Sequence, residues 1–230
     1  MCGRFTLISS VADLQMRFGF AMVPADVKPR YNIAPTQQVL AITNDGERRG
    51  ELMRWGLVPS WAKDIKIGNR MINAVSETAA SKPAFRSAFR RRRCLVLADG
   101  FFEWRKGGKT RVPLYFTQKS GEPMAFAGLW ENWKSPEDEW IRSCAILTTA
   151  ANSFIEPVYN RMPVILSEET VPLWLDPLTE TSDNLEPLLL PAPPELLTMR
   201  EVSPVVNNAR SEGPDCIAPV TPSGEVRLFS

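Results

Sequence analysis

Arg93-Cys94-Leu95-Val96-Leu97-Ala98-Asp99-Gly100-Phe101-Phe102-Glu103-Trp104 is the stretch that sets the fold class. Its bounded apolar run reads as a buried strand, Asp99-Gly100 as a break, and the aromatic run after it as a second strand. Outward from there, Val112–Thr117, Met124–Leu129 and Trp140–Leu147 repeat the signature, with Gly107-Gly108 a hairpin signal. β-α-β alternation is absent, which disfavours the doubly wound folds. The pattern predicts an α+β protein: one domain over residues 1–230, built on a curved, barrel-like, mainly antiparallel sheet with flanking helices.

Towards the N-terminus, Ser9 and Ser10 precede the amphipathic segment Val11–Phe18 and predict a capped helix. The prolines at 24, 29 and 35 predict an irregular stretch around Pro29–Pro35. Val39–Thr43 and Glu51–Leu57 read as paired strands around Asn44-Asp45-Gly46. Glu77–Phe89 is expected to be helical in part, interrupted by Pro83. Towards the C-terminus, Ser167 is expected to cap a helix through Trp174, and Pro-rich 191–194 leads to a strand near Leu197–Val202.

The chain of 230 residues contains no histidine. Ser-His-Asp and Cys-His nucleophile systems and histidine metal motifs are therefore impossible, and acid–base work falls to Glu, Asp, Lys, Tyr, Cys or the amino terminus. The four cysteines, Cys2, Cys94, Cys144 and Cys216, lack C-x-x-C spacing, so neither a metal site nor a cofactor is expected. No apolar run reaches the ~18 residues of a membrane span. A soluble cytoplasmic monomer is expected, nucleoid-associated if bacterial.

A net charge of +1 conceals a polarity. Residues 1–115 hold 20 Lys and Arg against 9 Asp and Glu, and the remainder 7 against 17. The densest cluster runs from Arg86 through Arg90-Arg91-Arg92-Arg93. Charge alone leaves two readings open, an anionic partner or pairing with the acidic half.

Cys2 follows Met1 directly. Removal of Met1 would leave a 1,2-aminothiol, which condenses with an aldehyde to an imine and closes through sulfur to a thiazolidine. An α-amine titrates near ~7.7–8.0, so part of it is the neutral nucleophile at neutral pH. Glu103 lies among three aromatics, where desolvation raises a carboxyl towards the range useful for acid–base catalysis.

Met1-Cys2-Gly3-Arg4-Phe5, Arg30–Pro35, Trp55–Trp61, Asn73-Ala74 with Ser76–Thr78, Cys94–Trp104, Arg161-Met162-Pro163 and Val206-Asn207-Asn208 resemble, in order, the SRAP family (SOS-response-associated peptidase domain). The resemblance implies loss of Met1 by self-processing and capture of abasic sites in single-stranded DNA by Cys2. It implies that Asn73 bonds near the sugar and the N-terminus, and that Glu103 serves ring opening and methionine removal. Arg4 and Arg161 would meet flanking phosphates, and Trp55 and Pro35 would face DNA. Asn32 and Arg86 are further DNA-binding candidates.

Two positions depart from the family pattern. Tyr159 stands where a histidine is usual, and a phenol hydrogen-bonds but scarcely shuttles protons at neutral pH. Val75 stands where an arginine is common, which predicts one phosphate contact fewer. A cysteine peptidase acting on other proteins and a non-covalent single-strand binder remain as alternatives.

Overall fold

The computed structural model describes residues 2–21, 24, 26–46, 48–107 and 110–220. Five strands close into a barrel: β3 (Gln38–Thr43), β4 (Gly50–Trp55), β6 (Arg93–Ala98), β9 (Met124–Lys134) and β10 (Trp140–Ala150). Their order is β10-β4-β3-β6-β9, and β9 pairs back onto β10. The β4–β10 seam is parallel and the other four are antiparallel. Every residue of β6 is buried, as a strand in a filled barrel under covering helices requires.

Short strands extend the barrel edges. β5 (Asn73–Val75) runs parallel to β10 beyond β4, and β11 (Arg161–Pro163) pairs with the far end of β10. β12 (Ile165–Leu166) lies on β9. The second sheet has the order β13-β8-β7-β1-β2 and comprises β13 (Leu197–Glu201), β8 (Thr110–Gln118), β7 (Gly100–Gly107), β1 (Phe5–Leu7) and β2 (Arg30–Ile33). Among the described residues five short α-helices flank these sheets: α1 (Val11–Phe18), α2 (Ser76–Ala79), α3 (Arg86–Arg91), α4 (Thr170–Leu175) and α5 (Ser182–Leu185). The chain is α+β, as its strand pattern predicts.

Phe5 joins the two sheets. Its ring meets Trp55 edge-on at 5.1 Å and Phe126 at 6.0 Å, so one apolar cluster runs from β1 into the barrel. The chain leaves β4 through Gly56, at φ 130°, where an added Cβ would stand 2.6 Å from the Gly68 carbonyl oxygen. No larger residue fits there, and this contact fixes the loop leading to Asn73.

The structure departs from expectation at several points. Arg30–Ile33, expected to be irregular, is the edge strand β2, held by β1. Of the two serines ahead of α1, Ser10 caps the helix through the Asp13 amide, whereas Ser9 bonds to Asp99. The later helix begins at Thr170, and Ser167 Oγ accepts from the Thr170 amide. At the expected hairpin, Gly107 pairs with Thr110, while Gly108 lies outside the described residues. Among the described residues no helix is long and apolar enough to cross a membrane.

Candidate functional site

The Phe5↔Phe101 register, carried towards the N-terminus by the Phe102 amide donating to the Arg4 carbonyl, brings Cys2 alongside β7. Cys2 is fully buried. From the opposite wall the Asn73 Nδ2 donates to the Cys2 carbonyl at 2.8 Å. Asn73 owes this position to β5, where it lies opposite Ile146 of β10. Its Oδ1 is buried with no hydrogen-bond partner among the described residues, so the amide retains acceptor capacity.

Glu103 is 5% exposed, beside the fully buried Phe102. Burial lifts its carboxyl to about 7, against the pull of the chain's amino-terminal charge. At neutral pH such a group is divided between acid and base, the condition general acid–base catalysis favours. Burial also pushes the Cys2 thiol well above its ordinary range, and the Glu103 charge adds to this. The thiol therefore needs a base before sulfur can attack.

Arg4 lines a cavity of about 300 Å³ together with Trp104, Arg111 and Asn207. Its guanidinium lies 5.5 Å from the Trp104 ring centroid and donates to Asn32 Oδ1 at 2.6 Å and to the Val206 carbonyl at 2.9 Å. The Trp104 indole N–H donates to Asn207 Oδ1 at 2.6 Å. Arg161 grips both carboxylate oxygens of Glu77, at 2.6 and 2.8 Å, and bonds to the Thr148 carbonyl. That pairing draws the Glu77 carboxyl down to about 2. Tyr159 is exposed just ahead of β11, on the opposite edge of β10 from β5.

Two residues expected to meet DNA are turned inward. Trp55 is fully buried; its indole N–H donates to the Ile72 carbonyl at 2.8 Å because the β4 register aims the ring into the barrel. Asn32, 1% exposed, is a strut: it accepts from Arg4 and donates to the carbonyls of Asn208 and Ser211. Pro35 is half-buried in a turn whose next residue, Thr36, has φ 73°, a strained value for a β-branched side chain. Arg86 is exposed on α3, and Val75 is half-buried opposite Thr148.

The sequence reading missed Trp61, which is 59% exposed in the loop that holds Lys63 and leads into the 3-10 helix with Lys66. The signal was present: a tryptophan between Pro59 and two lysines sits in a polar segment, where a core ring has no strand to face inward from.

Cys2 is thus a buried cysteine tethered by an asparagine and acted on by the charge of a carboxyl of raised pKa, in a chain built on a closed barrel. The chain belongs to the SOS response associated peptidase (SRAP) family, whose model matches residues 1–209. It is 42% identical over 222 residues to abasic site processing protein YoqW of Bacillus subtilis (strain 168), covering 94% of this chain and 99% of that one. It is 38% identical over 198 residues to abasic site processing protein HMCES of Rattus norvegicus, covering 73% and 56%. In fold, it matches a crystal structure of a protein from Bacteroides thetaiotaomicron at TM-score 0.85 and 23% identity, over 94% of this chain and 98% of that one.

Proposed function

We propose that this chain recognises abasic sites in single-stranded DNA and captures them covalently through Cys2 after Met1 is removed, shielding the lesion. The observation that carries the reading is the Asn73 amide on the carbonyl of the buried Cys2, with the Glu103 charge acting on the Cys2 thiol. The basic first half of the chain and the names of its relatives support the ligand.

In the first step water adds to the Met1 carbonyl carbon. Glu103 takes a proton from the water and returns one to the departing nitrogen, releasing methionine and the Cys2 α-amine. Asn73 holds the neighbouring Cys2 carbonyl still throughout. In the second step Glu103, as acid, opens the deoxyribose ring to its aldehyde. The α-amine adds to that carbon and water leaves, giving an imine. The thiol then adds across the C=N bond: sulfur bonds to carbon, its proton ends on nitrogen by way of Glu103, and the thiazolidine closes. No outside oxidant or reductant is needed.

Intact-mass analysis of the purified protein mixed with an abasic oligonucleotide tests the reading. Loss of the Met1 mass and a denaturation-resistant adduct are expected in the native protein, with no adduct in Cys2→Ala. Retained Met1, or an adduct in the alanine variant, rejects it. Turnover of an unrelated peptide by the mature protein would favour the peptidase alternative.

A further inference from the structure

The basic run ahead of β6 divides into two groups. Arg91, Arg92 and Arg93 have partners within the molecule, Arg91 on its surface and Arg93 in its interior. Arg91 lies 3.6 Å from Glu180 and Arg92 lies 2.7 Å from Glu131. Arg93 is fully buried and donates to the carbonyls of Trp174 at 2.7 Å and Phe89 at 3.1 Å. Lys82, Arg86 and Arg90 are all exposed, and their side chains have no acidic partner among the described residues.

These three recur at every fourth residue. The Arg86 amide donates to the Lys82 carbonyl at 2.8 Å, so the helical turn already begins at Lys82. Phe85, Ala88 and Phe89 are buried on the other side, with Phe89 edge-on to Trp174 at 6.0 Å. At ~1.5 Å of rise per residue, the cations form a row about 12 Å long.

Local physics opposes this row. Like charges four apart cost roughly 0.2–0.5 kcal/mol per pair, and cations in a first turn oppose the helix dipole. No acidic residue lies between Lys82 and Arg93 to offset either effect. A segment that breaks local rules so consistently answers to something outside the helix.

The row also continues the site. The chain passes from Asn73, on Cys2, through Glu77, on Arg161, to Lys82. α2 contacts β10, and α3 contacts β9 and β6, which are successive staves of the barrel.

We infer that Lys82, Arg86 and Arg90 form a track for the phosphodiester backbone of a strand that extends beyond the Cys2 site. The track supplies affinity without base selection. The ligand class rests on the proposed function, but the track is tested separately. The full-length triple variant Lys82→Gln/Arg86→Gln/Arg90→Gln is compared with the native chain for binding an undamaged oligothymidylate across a salt series. Three lost contacts at ~0.7 each lower the slope of log K against log salt by about 2. The melting temperature stays unchanged, which shows that the variant is folded. A native slope in the folded triple variant overturns the track. If the triple variant fails to fold, Arg86→Gln and Arg90→Gln singly must each lower the slope by ~0.7. The slope is read on undamaged DNA, so it decides the track whether or not the native chain crosslinks.

Discussion

The Asn73 side-chain amide holds the Cys2 carbonyl at 2.8 Å, bridging β5 and the N-terminal segment across the site. Every bond proposed to form or break at Cys2 involves its α-nitrogen, two bonds from that carbonyl carbon, or its thiol. Asn73→Ala removes the tether without removing a reacting group. Misplacement by about 1 Å costs on the order of 100-fold in rate, whereas one lost hydrogen bond costs only ~0.5–1.5 kcal/mol of stability. Methionine removal and adduct formation, followed by intact mass, should therefore both slow by about that factor while the protein stays folded. Native rates in the variant would remove Asn73 from the mechanism.

Glu103 links activity to stability through pH. Its folded pKa of about 7 lies above the ordinary value of 4.5, so between these pH values the folded state binds more protons than the unfolded state. Stability is thus highest below about pH 4.5 as far as this group is concerned, and falls as pH rises to about 7. The loss is on the order of 3 kcal/mol, at ~1.4 kcal/mol per pKa unit. Glu103→Gln should flatten that part of the stability–pH curve and melt higher than the native chain at pH 8. It should also lose ~10²–10⁴-fold in crosslinking rate. A variant less stable than the native chain at pH 8 would show that the buried charge is compensated.

These residues show what the sequence made legible. The barrel strands from Arg93 to Leu147 were readable because their apolar runs are long and bounded by turn residues. β1 and β2 were not, because three- and four-residue strands take their identity from a partner far along the chain. The raised pKa of Glu103 was suggested by its aromatic neighbours, though only its burial decides it. Trp55 and Trp61 share one motif, yet the β4 register turns the first into the core while the second, beyond the strand in a polar segment, is exposed. Likewise Arg90 and Arg93 are neighbours in composition, but Arg93 turns inward onto helix-end carbonyls that no local pattern announces.

Tyr159 is exposed ahead of β11, so replacing it should disturb stability by no more than about 0.5 kcal/mol. Tyr159→His introduces the imidazole that the family resemblance implies at this position, in a chain that has no histidine. Formation of the adduct should change little, since Cys2 and Glu103 remain. Its release on dilution into competitor DNA should accelerate by tenfold or more, if proton transfer to the ring nitrogen or sulfur limits reversal. Unchanged formation and release together would assign Tyr159 no part in either step.

Arg161 meets an acid before it can meet a phosphate. Glu77 takes both arms of its guanidinium, and this pairing lowers the Glu77 carboxyl to about 2. The stability it contributes is present above pH 4.5 and is lost as pH falls towards 2. Glu77 is half exposed, so solvent screening holds that contribution to about 1 kcal/mol or less. For DNA the sign reverses: the carboxylate competes with phosphate for the same guanidinium. Glu77→Gln should therefore bind single-stranded DNA more tightly at low salt, with a steeper salt dependence by ~0.7. Adding Arg161→Gln should abolish that gain, so a double-mutant cycle on DNA affinity measures the competition directly. Weaker binding by Glu77→Gln alone would mean that the pair positions Arg161 for the strand and does not compete with it.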